Sequence, residues 1–163
     1  MDIIDIKEKY GSIQNALDEC KKIVINDINT SGLCKEWDSI PCNVTAEEHF
    51  EHIVDWCKKT IKSTIWSCHE SSKNTFFTSY GAKHTCEKKL KCYVSNNWMK
   101  LAMIYAGLEV CNVNCIDYDN NRVNKMPICI SDILTYKTNF IVRVPKDKID
   151  INTMISRYSY KLK

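Results

Sequence analysis

The sequence predicts a mainly helical α+β domain with a small antiparallel sheet in its C-terminal third. Three observations predict it. Apolar residues recur at three- and four-residue steps through the first two-thirds of the chain, the signature of helices with one buried face. After Gly107 the period shortens to two, which is strand-like. The 163 residues include only four Gly and three Pro, too few for long linkers or low-complexity tails. A chain this long buries roughly two-thirds of its unfolded surface without staples. One domain over 1–163 is therefore expected, with a helical body over 1–107 and a small α/β part over 108–163.

The elements follow in order. Ile13, Leu17, Cys20 and Val24 share one face of a helix over about 12–25. Asn29-Thr-Ser-Gly32 and Pro41 then make 29–44 a loop. Thr45 with Glu48 three residues on is a capping box that opens a second helix. Its apolar stripe is Phe50, Ile53, Val54, Cys57, Ile61 and Ile65, about five turns, with Lys58, Lys59 and Lys62 toward water. Residues 67–78 are polar and read as a loop. Ser79 is placed to cap a helix over 80–92, and Val94-Ser95-Asn96 is a short break. Ser95 then caps a helix over 96–106 that ends on Gly107. Cys111, Val113 and Cys115 alternate as a strand. Asp119-Asn-Asn-Arg122 reads as a turn, and Pro127 restricts 126–130 to an edge strand. Ser131 is placed to cap a short helix to about 137, residues 139–144 form the best late strand, and 149–160 a last helix.

No run approaches the roughly 18 apolar residues of a membrane helix. Met1-Asp-Ile-Ile-Asp-Ile carries charge where a signal peptide needs an apolar stretch. The expectation is a cytoplasmic protein with no membrane partner. Its ten cysteines are then mostly small buried hydrophobes, with metal ligation and disulfides as lesser alternatives.

Metal grammar is weak. His49 and His52 are three apart on a helix, next to Glu47 and Glu51, and read mainly as an exposed face. Cys111 and Cys115 on a strand would stand about 13 Å apart, too far for one tetrahedral ion. No cofactor and no metal are expected. Cys86 has His84, Lys83 and Lys88 nearby, an electropositive setting for a thiolate, but residues two apart on a helix point in different directions. Glu47, Glu48 and Glu51 suit a helix N-terminus. With four glycines, phosphate-cradling loops are almost excluded.

The net charge of +3 is uneven. Residues 2–19 sum to −3, residues 83–100 to +4 and residues 146–163 to +3. Such asymmetry permits an anionic partner. Within 79–107, two short helices joined by a tight polar break have the grammar of a helix-turn-helix. In such a unit Asn96, Asn97 and Lys100 at the start of the second helix would meet base edges. Lys88, Lys89 and Lys91 would lie against the phosphate backbone. The turn lacks the Gly that often marks the motif. The same residues also read as a plain helical hairpin with Trp98, Leu101, Ala102 and Tyr105 in the core.

The pattern Ser79-Tyr80-x-x-Lys83-His84-x-x-Glu87, then Tyr93-Val-Ser-Asn96 and an Ala-containing helix ending Ala106-Gly107-Leu108, resembles small uncharacterised proteins of bacteriophages and mobile elements. It covers about 30 of the 163 residues. The resemblance implies an accessory protein that binds nucleic acid or blocks a host defence enzyme, CRISPR effectors included. It names no catalytic residue. It makes Tyr80, Lys83, His84, Glu87, Tyr93, Ser95 and Asn96 the candidate site, either a phosphate- or partner-binding surface or an internal cluster that fixes the hairpin.

Three functions are therefore expected, in order. The first is a non-enzymatic accessory protein that binds nucleic acid, or a host nucleic-acid-processing protein, through the basic hairpin. The second is a protein-only inhibitor, dimeric in one version, using an aromatic patch from Trp37, Trp56, Trp66 or Trp98. The third is a small hydrolase or transferase using Lys83, His84 and Glu87.

Overall fold

The computed structural model describes residues 11–30, 44–61, 74–113, 116–117, 122–123, 128, 130–135 and 138–145. The helix expected over 149–160, most of the 29–44 loop, most of the 119–122 turn and Ile65 lie outside them. The described elements are α1 (Ile13–Thr30), α2 (Ala46–Thr60), β1 (Asn74–Thr78), α3 (Ser79–Leu90), α4 (Asn96–Tyr105), β2 (Val110–Asn112), β3 (Ile116–Asp117), β4 (Arg122–Val123), α5 (Ile130–Leu134) and β5 (Phe140–Pro145). The architecture is α+β: helices gathered around α4, with a small antiparallel sheet at one side.

Local chemistry explains most helix ends. Ser12 Oγ accepts the Asn15 N–H at 3.1 Å and opens α1. The buried face of α1 is Ala16, Cys20, Val24 and Ile25, whereas Ile13, expected on that face, is exposed. Thr45 and Glu48 form the expected capping box, with Glu48 N to Thr45 Oγ1 at 3.2 Å and Thr45 N to Glu48 Oε2 at 3.1 Å. The helix they open buries Phe50, Ile53, Val54 and Cys57. It stops at Thr60, shorter than expected, because Ile61 turns extended to bury its side chain.

The cap of α3 is Thr78 rather than Ser79. Thr78 Oγ1 accepts the Gly81 N–H, while the Ser79 hydroxyl accepts the Phe140 N–H and ties α3 to the start of β5. Ser95 caps α4 as expected, accepting the Trp98 N–H at 3.0 Å. Gly107, at φ 77°, closes α4 in a Schellman motif: its N–H reaches Ile104 O, and the Leu108 N–H reaches Met103 O.

The sheet is ordered β1-β5-β2, antiparallel throughout. Its register sets Phe77, Val142 and Val110 in one row, all buried. Phe140, Val142 and Val144 share the core face, as the period of two requires. Two expectations fail here. Residues 74–78 form a strand instead of continuing the loop read over 67–78. Ile130 opens α5 instead of closing an edge strand over 126–130, which leaves Ser131 inside the helix and not at its cap. β3 and β4 form a separate two-residue ladder, Ile116 opposite Val123.

Helix α4 is the hub, packed against α1, α2, α3 and α5. Residues 96–103 are all buried, so the helix has no solvent face over its first two turns. Trp98 sits at its centre. Its ring meets Phe50 edge-on with centroids 6.1 Å apart, and its Nε1–H donates to Val24 O of α1 at 2.8 Å. Removing so large a buried ring costs about 3–5 kcal/mol in typical cores.

Candidate functional site

The Lys-His-x-x-Glu residues of α3 are brought together by helical spacing. Lys83 Nζ lies 2.9 Å from Glu87 Oε1, and His84 Nδ1 lies 2.9 Å from Glu87 Oε2. A proton on Nδ1 makes His84 the donor in that contact. The same carboxylate accepts the Val94 N–H at 3.2 Å, and Lys83 donates in turn to Val94 O at 3.1 Å. Glu87 is therefore engaged on both oxygens, and Lys83 is buried between it, the Val94 carbonyl and the Tyr93 ring, 4.9 Å from the centroid. The cluster clamps the chain after Lys91, whose left-handed backbone (φ 55°) ends α3. It works as an internal fastener of the hairpin.

Asn96, Asn97 and Lys100 do not face a groove. They are 7%, 2% and 0% exposed. Asn96 Nδ2 donates to Asn139 Oδ1 at 2.9 Å, and Asn97 Nδ2 to Leu134 O at 3.1 Å. Lys100 Nζ donates to Asp132 O and, at 2.8 Å, to Thr135 O. Two of the three thus satisfy the terminal carbonyls of the short α5, where cations and donors are favoured. Desolvation pulls the Lys100 ammonium down to about 8, with Asp132 opposing the fall. This corrects the helix-turn-helix reading: a recognition helix needs an open face, and α4 is enclosed. A signal for this was present in the sequence. Lys100 is the sole charge between Lys91 and Glu109, so no polar face exists for that helix to present.

The solvent face belongs to α3. Tyr80, His84 and Lys88 follow steps of four along one stripe, Lys89 flanks it, and Lys91 lies just past the helix end in the left-handed region. Tyr80 is 49% exposed, and Lys88, Lys89 and Lys91 are exposed. The Tyr80 and His84 rings meet at 86° with centroids 4.7 Å apart. Among the described residues none of the three lysines is in an ion pair. The nearest carboxylate in sequence, Glu87, is neutralised internally by Lys83. The exposed C-terminal end of α3 and its cap carry three positive charges, against which stands the roughly half-unit negative end of the helix dipole.

Among the described thiols, burial disfavours the thiolate. Burial pushes Cys57 up to about 12 and Cys20 to about 11, and raises Cys86 and Cys92 as well. Cys86 is fully buried and points away from His84, as their two-residue spacing implied. Cys92 Sγ is 3.8 Å from both His49 nitrogens, but burial lowers the His49 pKa, and Nε2 lies 3.0 Å from Tyr93 O. His49 was expected on an exposed face with His52. It is instead buried against Trp98, and only His52 is exposed. Among the described residues no three His, Cys, Asp or Glu side chains gather as a metal site. Of the four tryptophans, Trp56 and Trp98 are buried, so neither offers an interaction patch, and Trp37 and Trp66 lie outside the described residues. No described helix is long and apolar enough to cross a membrane.

No family model, curated protein or solved structure matches the chain.

Proposed function

We propose that this chain is a non-enzymatic accessory protein of viral or mobile-element type that binds nucleic acid through the solvent face of α3. The single observation that carries the reading is the set of three exposed lysines, Lys88, Lys89 and Lys91, at the end of a helix whose own carboxylate is engaged by Lys83, with no ion pair to any of the three among the described residues. Exposed cations without an ion-pair partner among the described residues suit a polyanion, which gives up condensed counterions on binding. The structure-derived surface differs from that of a helix-turn-helix: phosphates are contacted from α3, and α4 supports it from inside. Its compartment is the host cytosol, where the thiols stay reduced.

The test is fluorescence anisotropy with generic DNA and RNA across a salt series, with reduced protein. Three phosphate contacts give a log–log slope of about −2.1 for single strands to −2.7 for duplex, so affinity falls by about 20- to 40-fold between 50 and 200 mM salt. Replacing Lys88, Lys89 and Lys91 together with Glu abolishes the binding and leaves the fold intact, since all three are exposed. Unchanged affinity in that variant, or affinity indifferent to salt, refutes the reading. The same three lysines offered to an acidic surface of a host nucleic-acid-processing protein is the reading to pursue if no oligonucleotide binds at low salt.

A further inference from the structure

Tyr80 differs from the other described aromatics that anchor the fold. Phe50, Phe77, Trp98 and Phe140 are buried, whereas about half of Tyr80 remains open to water. Its position is nonetheless fixed. The ring stands at the start of α3, one turn before His84, whose imidazole meets it at right angles, and Lys83 Nζ lies 5.8 Å from its centroid. His84 is in turn held by Glu87. An exposed aromatic ring fixed in this way loses little side-chain freedom when something stacks on it.

The cations are aligned with it. Lys88 follows on the same stripe, about 12 Å further along the helix at its usual rise of about 1.5 Å per residue, and Lys91 lies about one turn beyond it, just past the helix end. An aromatic platform at one end of a row of lysines is the arrangement that holds an unpaired base while tracking its backbone. At a stacked rise of about 3.4 Å per nucleotide, the stripe spans about four to five nucleotides. In a duplex the bases are already stacked on one another, so Tyr80 gains nothing there and only the lysines contribute.

From this juxtaposition we infer that the ligand is single-stranded nucleic acid, with one base stacked on Tyr80 and the following phosphates on Lys88 and Lys91. The inference rests on the nucleic-acid reading above and sharpens it. Sequence selectivity is weak, because every base offers a face to stack on.

The experiment compares three labelled ligands on the full chain at one low salt concentration: oligothymidylate, an abasic oligomer of the same length, and a duplex. Wild-type protein is measured beside Tyr80→Ala and Tyr80→Phe. The expected result is a loss of about 5- to 150-fold for oligothymidylate in Tyr80→Ala, retention in Tyr80→Phe, and no change toward the abasic oligomer or the duplex. The wild-type preference for oligothymidylate over the abasic oligomer should match that loss, which keeps the proposal testable without any variant. Equal binding of all three ligands, insensitive to Tyr80 but lost on replacing the lysines, overturns the single-strand inference and leaves the nucleic-acid reading standing. Absence of binding to every oligomer by the wild-type protein overturns both. Parallel DNA and RNA oligomers distinguish the two sources of the same chemistry.

Discussion

Lys100 offers a prediction whose size can be worked from the structure. Its side chain is fully buried, its ammonium donates to Asp132 O and Thr135 O, and it lies 5.3 Å from the Phe140 ring centroid. Desolvation brings its pKa to about 8, from 10.5 for an ordinary lysine. Between those values the unfolded chain holds a proton that the folded chain has released, so the stability contribution of Lys100 rises with pH. It is lost as pH falls through 8. Integrating the two titrations from pH 7 to pH 9.5 gives a gain of about 2 kcal/mol. Lys100→Met preserves length and removes the titration. It also removes two hydrogen bonds to backbone carbonyls, a cost that does not depend on pH. The cost of Lys100→Met should therefore grow by about 2 kcal/mol over that interval. The raised thiols of Cys20 and Cys57 act in the opposite direction above pH 9, since the unfolded chain loses those protons first, but they act alike in both proteins and cancel. Urea unfolding of both proteins under reducing conditions, at the two pH values, reads the difference. A cost that stays constant to within about 0.5 kcal/mol, or that shrinks, refutes the description of Lys100 as a buried, desolvated pin.

Two further predictions concern the hairpin. Glu87→Gln leaves the Lys83 ammonium buried without its counter-charge and should lower stability by about 1–3 kcal/mol, read as a lower urea midpoint with unchanged slope. An unchanged midpoint means the cluster does not fasten the turn. Lys91→Gly relieves a left-handed backbone at a non-glycine residue and should stabilise the fold by up to about 1 kcal/mol, while removing one of the three exposed charges weakens nucleic-acid binding. If stability and affinity move in the same direction, one of the two roles assigned to that residue is wrong.

The sequence by itself determined the parts whose partners lie within a few residues. Thr45 with Glu48, Ser95 with Trp98 N–H, and Gly107 and Leu108 N–H with the carbonyls of Ile104 and Met103 are interactions three to five residues long, so the residue types and their spacing suffice to read them. The run 139–144 also read as a strand from its residue types. The spacing of Lys83, His84 and Glu87 also placed them in reach of one another. Only the tertiary structure decided what these elements face. Residues 74–78 become a strand because β5, more than sixty positions away, supplies their hydrogen bonds. His49 turns inward because the Tyr93 carbonyl and the Trp98 ring await it there. Glu87 closes on the Val94 N–H across the turn, which makes the cluster a fastener instead of an open site. Asn97 and Lys100 are enclosed because four helices surround α4 and carbonyls at the end of α5 accept from their side chains. A buried polar group takes its role from the partner that satisfies it, and that partner is set by packing between distant segments, which local spacing does not encode.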